Sequence, residues 1–118
     1  VVLRADGCVL VRSRPPKGLL GGMTEVPTTA WVHDFDESSA LDEAPKLART
    51  RWRRTPGVVT HVFTHFPLDL IVYITQVPVG TRAPESARWV ALADLADEAL
   101  PNLMRKVLAH ALNDRRAG

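Results

Sequence analysis

Apolar positions along the chain fall into short runs separated by proline, glycine and charge. Cys8 to Arg14 reads C-V-L-V-R-S-R, apolar and then alternating, which predicts a strand entering a turn at Pro15-Pro16. The next stretch, KGLLGG, reads as a flexible, partly apolar loop. Glu25 to Val32 (EVPTTAWV) is rich in threonine and valine and predicts a second strand, which Pro27 places at an edge or a bulge. Ser38 and Ser39 are N-cap residue types ahead of SALDEAPKLARTRW, so a helix is expected there. Asp42 and Glu43 would lie at its positive end and arginines at its negative end. Pro45 is tolerated only in the first turn, which moves the expected start later. Val58 to Phe63 predicts a strand, and LDLIVYITQV after Pro67 predicts a long central one, the two joined as an antiparallel hairpin. His61 to Phe66 (HVFTHF) then straddles the end of one strand and its turn. ARWVAL predicts a short strand and ADLADEAL a short helix. Leu103, Met104, Val107, Leu108, Ala111 and Leu112 form one apolar stripe, so an amphipathic helix is expected after Pro101 at its first position. The order β-β-α-β-β-β-α predicts an α+β domain, a mixed sheet flanked by helices.

Composition narrows the class. At 118 residues, 46% apolar and 24% charged, the chain suits one folded domain rather than a disordered segment. No apolar run reaches the length of a membrane span, so no membrane partner is expected. The opening VVLRADGCVLVR lacks the charged and apolar regions of a secretory signal and begins abruptly in strand-like sequence, as a piece of a longer chain would. Cys8 is the sole cysteine, which excludes an internal disulfide framework, a cysteine-ligated zinc and an iron–sulfur cluster. It reads as a small buried hydrophobe.

Net charge is only +2, but the basic residues cluster as Arg12, Arg14 and Lys17; as Arg49, Arg51, Arg53 and Arg54; and as Arg105, Lys106, Arg115 and Arg116. An anionic partner such as DNA phosphate is compatible with this, and so is a set of solvated faces. Trp31, Trp52 and Trp89 read as core or rim packing.

Little else carries chemistry. No G-x-S-x-G elbow or phosphate-binding glycine fingerprint is present, and His33, His61, His65 and His110 form no zinc-binding pair. HVFTHF stands out. Either Phe63 and Phe66 fill core while Thr64 and His65 shape a turn, or the stretch is a loop that touches a flat, hydrogen-bonding ligand.

The element order and KGLLGGMTEVP resemble the Nudix fold, whose metal box runs G-x5-E-x7-R-E-U-x-E-E-x-G-U, with U a bulky apolar residue. Several carboxylates on one helix face there hold magnesium against a diphosphate. Placing the first glutamate on Glu25 puts Leu19 at the glycine and His33-Asp34 at Arg-Glu, and only Glu37 then matches an acidic metal position. A placement on Asp42-Glu43 is interrupted by Pro45. A magnesium-dependent pyrophosphohydrolase is therefore not expected.

A second resemblance spans nearly the whole chain. VLVRSRPPKGLLGGMTEVP (Val9–Pro27), HVFTHFPLDLIV (His61–Val72), ARWVALADL (Ala87–Leu95) and ALPNLMRKVL (Ala99–Leu108) look like the Nudix-like C-terminal domain of the adenine DNA glycosylases of the MutY family. That resemblance implies a domain of DNA base excision repair that helps recognise 8-oxoguanine opposite adenine, with residues 1–118 a single domain from the C-terminal part of a longer glycosylase. It implies that Phe63, Thr64 and His65 reach the oxidised base, threonine standing where the family has serine. Arg12, Arg14 and Lys17, in the first matching phrase, are candidate phosphate contacts, a solvated strand edge being the alternative. It further implies duplex DNA with 8-oxoguanine:adenine and the parent's own catalytic domain as partners, and a bacterial cytoplasmic, nucleoid-associated setting. No cofactor is expected in this chain, because the family's iron–sulfur cluster belongs to the missing catalytic domain. The parent hydrolyses N-glycosyl bonds; these residues lack its catalytic carboxylates and are expected to be non-catalytic alone.

The loop chemistry can be argued from the residues. 8-Oxoguanine presents an N7–H donor and an O8 acceptor where guanine presents an N7 acceptor. A hydroxyl both donates and accepts, so Thr64 can pair with either new group. Phe63 can stack on or wedge beside a base, and His65 can donate to a base edge or phosphate. Two other classes stay open at this point: a free Nudix hydrolase of a nucleoside diphosphate derivative, and a protein-interaction module.

Overall fold

The computed structural model describes residues 1–47 and 50–117, with side chains as far as Asp114. Arg49 and the side chains of Arg115 and Arg116, from the basic groups above, lie outside the described residues. The framework is a mixed sheet of β1 (Val2–Arg4), β2 (Cys8–Ser13), β3 (Thr24–Glu25), β4 (Arg53–Arg54), β7 (Tyr73–Val77) and β8 (Ala87–Ala91). β5 (Val59–Val62) and β6 (Pro67–Leu70) form a separate antiparallel hairpin. β1 lies parallel to β7, and the other pairings are antiparallel. β2 is central: β8 runs along one side, while β1 and then β3 occupy the other.

Strand alternation sends side chains to both faces of this sheet, and both are covered. Val1, Leu3, Val9 and Val11 join the main core with Leu103, Met104, Val107, Leu108 and Ala111 of α1 (Asn102–Ala117), which lays its apolar stripe on that face. Val2, Leu10 and Val77 point the other way and are covered by Leu47, Trp52, Ala87 and Trp89. Trp52 and Trp89 thus pack on this second face, and Trp31 packs on the main core. Cys8 is half-buried and accepts from Arg4 Nη2 at 3.4 Å.

Several predicted elements are shorter or absent. The strand expected over Glu25–Val32 is limited to Thr24–Glu25, an edge strand, because Pro27 cannot donate to a ladder and the chain leaves the sheet there. The helix expected after Ser38 and Ser39 is a single 3-10 turn, Glu37–Ser39. Asp36 caps it, with Oδ1 accepting from Ser38 N (3.0 Å) and Ser38 Oγ (2.8 Å). Among the described residues of this segment there is no α-helix. Pro45 removes an N–H and disfavours helical backbone at Ala44, so the apolar spacing of this segment has no regular helix to act through.

LDLIVYITQV is broken at Ile71-Val72 into β6 and β7. Thr55 holds the break: its N–H and its hydroxyl each donate to the Val72 carbonyl at 2.9 Å. β5 and β6 pair as the expected hairpin, whereas β7 turns away into the main sheet. Pro101 lies one residue before α1, its carbonyl accepting from Met104 N (2.9 Å) and Arg105 N (3.1 Å). The KGLLGG loop is tightly bonded: Gly22 N donates to Pro15 O (3.1 Å) and Gly21 N to Gly18 O (3.1 Å). Gly21 is required there, since a Cβ on it would lie 2.4 Å from the Pro16 carbonyl oxygen.

Candidate functional site

The hairpin of β5 and β6 projects HVFTHF. Val62 faces Pro67 at the last rung, and Phe63 N donates to Phe66 O at 2.8 Å, closing a tight loop around Thr64 and His65. Alternation sets the rest: His61 and Leu68 face inward, while Thr60 and Asp69 face outward and share a 2.7 Å hydrogen bond. Thr64 and His65 are exposed, so both hydrogen-bonding side chains point to solvent at the tip.

Behind them the aromatic rings are packed together. Phe63 is half-buried against the main core. His61 meets it edge-on at 4.7 Å between centroids, Phe66 lies tilted at 4.9 Å and Trp31 at 6.2 Å. The loop base is braced from two sides. On one, Lys106 of α1 places Nζ 3.2 Å from His61 Nδ1 and 3.4 Å from Thr60 O; as the ammonium only donates, Nδ1 is the acceptor and the His61 proton sits on Nε2. On the other, the Arg14 guanidinium stacks 4.3 Å over the Trp31 ring.

Glu25 fixes that second brace. Its carboxylate is buried, 3% exposed, and accepts from Arg14 Nη1 at 2.6 Å and Arg12 Nε at 2.8 Å. Arg12 Nη2 also donates to Thr28 O (2.9 Å), and Arg14 Nε to Leu19 O (3.0 Å). Arg12 and Arg14 are therefore held by a buried carboxylate, with the Arg14 side chain only 16% exposed, whereas Lys17 is exposed in the neighbouring loop. The fold brings the first basic group and the HVFTHF loop together through Arg14, Trp31 and Phe63. Two features escape a reading of the residues alone. Phe66, whose apolar ring suggests packing, is 43% exposed. Glu25 enters the sequence argument only through the metal box, although alternating Arg12 and Arg14 facing one glutamate across a β2–β3 turn is a usable signal.

The profile of the NUDIX domain family matches residues 1–110. This chain belongs to the NUDIX domain family. Within it, the chain is similar to the adenine DNA glycosylase of Homo sapiens, 33% identical over 109 residues (84% of this chain, 20% of that protein). It is also similar to the adenine DNA glycosylase of Mus musculus, 31% identical over 119 residues (93% of this chain, 22% of that protein). The chain thus spans about a fifth of the length of the curated relatives it matches. A solved structure of the C-terminal domain of mouse MUTYH, in complex with human PCNA, has TM-score 0.74 and 28% identity, covering 98% of this chain and 85% of that one. The NUDIX hydrolase RenU of M. smegmatis has TM-score 0.59 at 20% identity, covering 98% and 83%, a likeness of fold alone.

NUDIX hydrolysis needs carboxylates free for magnesium, and this donor set does not fit. Glu25 is bound by two guanidiniums, and Glu37 pairs with Arg54 Nε (2.7 Å). Among the described residues no group of three or more His, Cys, Asp or Glu could hold a metal. A cavity of about 140 Å³ under the 26–45 segment is lined mainly by apolar residues, among them Val26, Phe35, Leu41, Trp52 and Tyr73. No described helix is long and apolar enough to cross a membrane.

Proposed function

We propose that residues 1–118 are the lesion-recognition domain of a longer adenine DNA glycosylase, reading 8-oxoguanine opposite adenine in duplex DNA. The observation that carries this reading is the loop, which presents Thr64 and His65 at a hairpin tip braced by a packed aromatic group. The similarity to the MUTYH C-terminal domain over 98% of the chain supports it.

The Thr64 hydroxyl accepts from the N7–H of 8-oxoguanine or donates to O8, and guanine offers neither group. His65 donates to a phosphate or base edge beside it. Lys17 has the exposure for a phosphate contact. Arg12 and Arg14 contribute positive potential from behind while their guanidiniums stay on Glu25. Base removal belongs to the parent's catalytic domain, which is the second partner, and the setting is the bacterial nucleoid in the cytoplasm.

The test is adenine removal by the full-length protein from 8-oxoguanine:A and G:A duplexes. Thr64→Ala and His65→Ala should each lower the ratio of the two rates by the equivalent of about 1–3 kcal/mol, the cost of leaving the lesion's polar groups unpaired. Equal selectivity in wild type and variants would sink the assignment.

A further inference from the structure

The chemistry of an aromatic ring lets Phe63 stack on or wedge beside a base, but the packing around that ring argues against it. Phe63 is half-buried, with His61 edge-on at 4.7 Å, Phe66 at 4.9 Å and Trp31 at 6.2 Å. Entering a base stack would require it to leave all three rings and the main core. Phe66 is committed to a single ring, that of Phe63. It is 43% exposed, and its ring is tilted only 32° from that of Phe63, so it forms the outer layer of an aromatic group whose inner layers are Phe63 and Trp31. Val62, 72% exposed, and Pro67 face each other at the last rung on the outward face of the hairpin, so that face is apolar next to the tip as well. Phe66 also closes the loop by accepting from Phe63 N, which places its ring one residue from the His65 donor.

We propose that Phe66, rather than Phe63, is the aromatic face that stacks on a base of the strand carrying 8-oxoguanine. Phe63 is the fixed platform behind it. The occupant is set by the chemistry at the tip: an exposed ring beside a hydroxyl and an imidazole suits a flat partner bearing hydrogen-bonding edges, which a nucleobase is. This inference rests on the lesion-recognition reading of the loop.

The experiment uses the full-length protein and duplexes with 2-aminopurine next to 8-oxoguanine. Phe66→Leu keeps apolar bulk without a ring. It should weaken binding to the lesion duplex on the order of tenfold and abolish the 2-aminopurine fluorescence change, while Phe66→Tyr restores both. Thermal unfolding, monitored in parallel, should move little because Phe66 is 43% exposed and leucine keeps an apolar contact with Phe63. If Phe66→Leu binds and reports as wild type while Thr64→Ala loses its preference for the lesion, the stacking role of Phe66 is overturned and the lesion reading stands. If the wild-type protein itself shows no preference for 8-oxoguanine over guanine, both fall.

Discussion

Replacing Glu25 by alanine separates two roles that Arg12 and Arg14 can play. The carboxylate is 2% exposed as a residue and bonds both guanidiniums, so its removal leaves Arg14, a side chain only 16% exposed, beside Trp31 without a counter-charge. Breaking a buried pair by deleting one partner costs about 3–5 kcal/mol. Arg12 is 37% exposed and regains water on losing its partner, so the lower end, about 3 kcal/mol, is expected. Domain stability is about 5–15 kcal/mol, so this is a large share of it, equivalent to roughly 10–15 °C in Tm at this size. Urea denaturation of wild type, Glu25→Ala and Arg12→Met checks the figure, Arg12→Met losing no more than about 1 kcal/mol because the Arg14–Glu25 pair survives. A Glu25→Ala cost below about 1 kcal/mol would refute the reasoning. The same variant tests where the guanidiniums act. If they engage phosphate directly in the wild type, freeing them leaves the salt slope of DNA binding unchanged. If Glu25 withholds them, the slope steepens by about one for each new phosphate contact.

Other consequences can be measured in the same way. Gly21→Ala puts a Cβ 2.4 Å from the Pro16 carbonyl oxygen, so the loop must shift; about 1–3 kcal/mol of stability is lost, and a variant as stable as wild type contradicts the close approach. Thr55→Val deletes the hydroxyl that bonds Val72 O and His110 Nε2 at 2.9 Å each; with Thr55 fully buried, a loss of about 1–3 kcal/mol is expected in a denaturant titration. In a polypeptide whose free amine is on Val1, burial lowers that amine from 8.0 to about 5. The unfolded chain then binds more protons between those limits, so stability is full above pH 8 and falls as pH drops toward 5, by up to about 1.4 kcal/mol per pH unit. A flat profile over that window shows the amine to be solvated.

What can be read from the residues is local. The stripe Leu103, Met104, Val107, Leu108 and Ala111 specifies α1 because helical period and burial coincide within one segment. The β5–β6 hairpin is legible for the same reason, since its strands are adjacent and its turn is short. The split of LDLIVYITQV is not, because it depends on Thr55, far upstream, capturing the Val72 carbonyl. The 36–47 segment misleads a propensity argument because its cap-type serines bond Asp36 and Pro45 interrupts the residues beyond them. Within the site, exposure is the illegible quantity. A run such as Phe63-Thr64-His65-Phe66 names the groups, but which ring is inside is set by Trp31, contributed by a distant segment.

Under the proposed function, Glu25 is the residue through which a NUDIX sheet would serve recognition instead of hydrolysis. In the register of the metal box it takes the place of the first acid, yet among the described residues no α-helix lies between it and β4 to supply companions, and a lone carboxylate in this interior would be costly. Arg12 and Arg14 neutralise it, and Arg14 carries that order outward onto Trp31, whose ring braces Phe63 and hence the loop bearing Thr64 and His65. The electrostatics of the site are thereby inverted. A cluster that gathers acids attracts a divalent cation, while one acid between two arginines keeps a net positive charge and repels it. Under the proposed function that sign is the required one, because the approaching ligand is a polyanion. The loop beside it needs rigidity more than reactivity, since discrimination by one hydroxyl works only if the hydroxyl is held where the oxidised edge arrives.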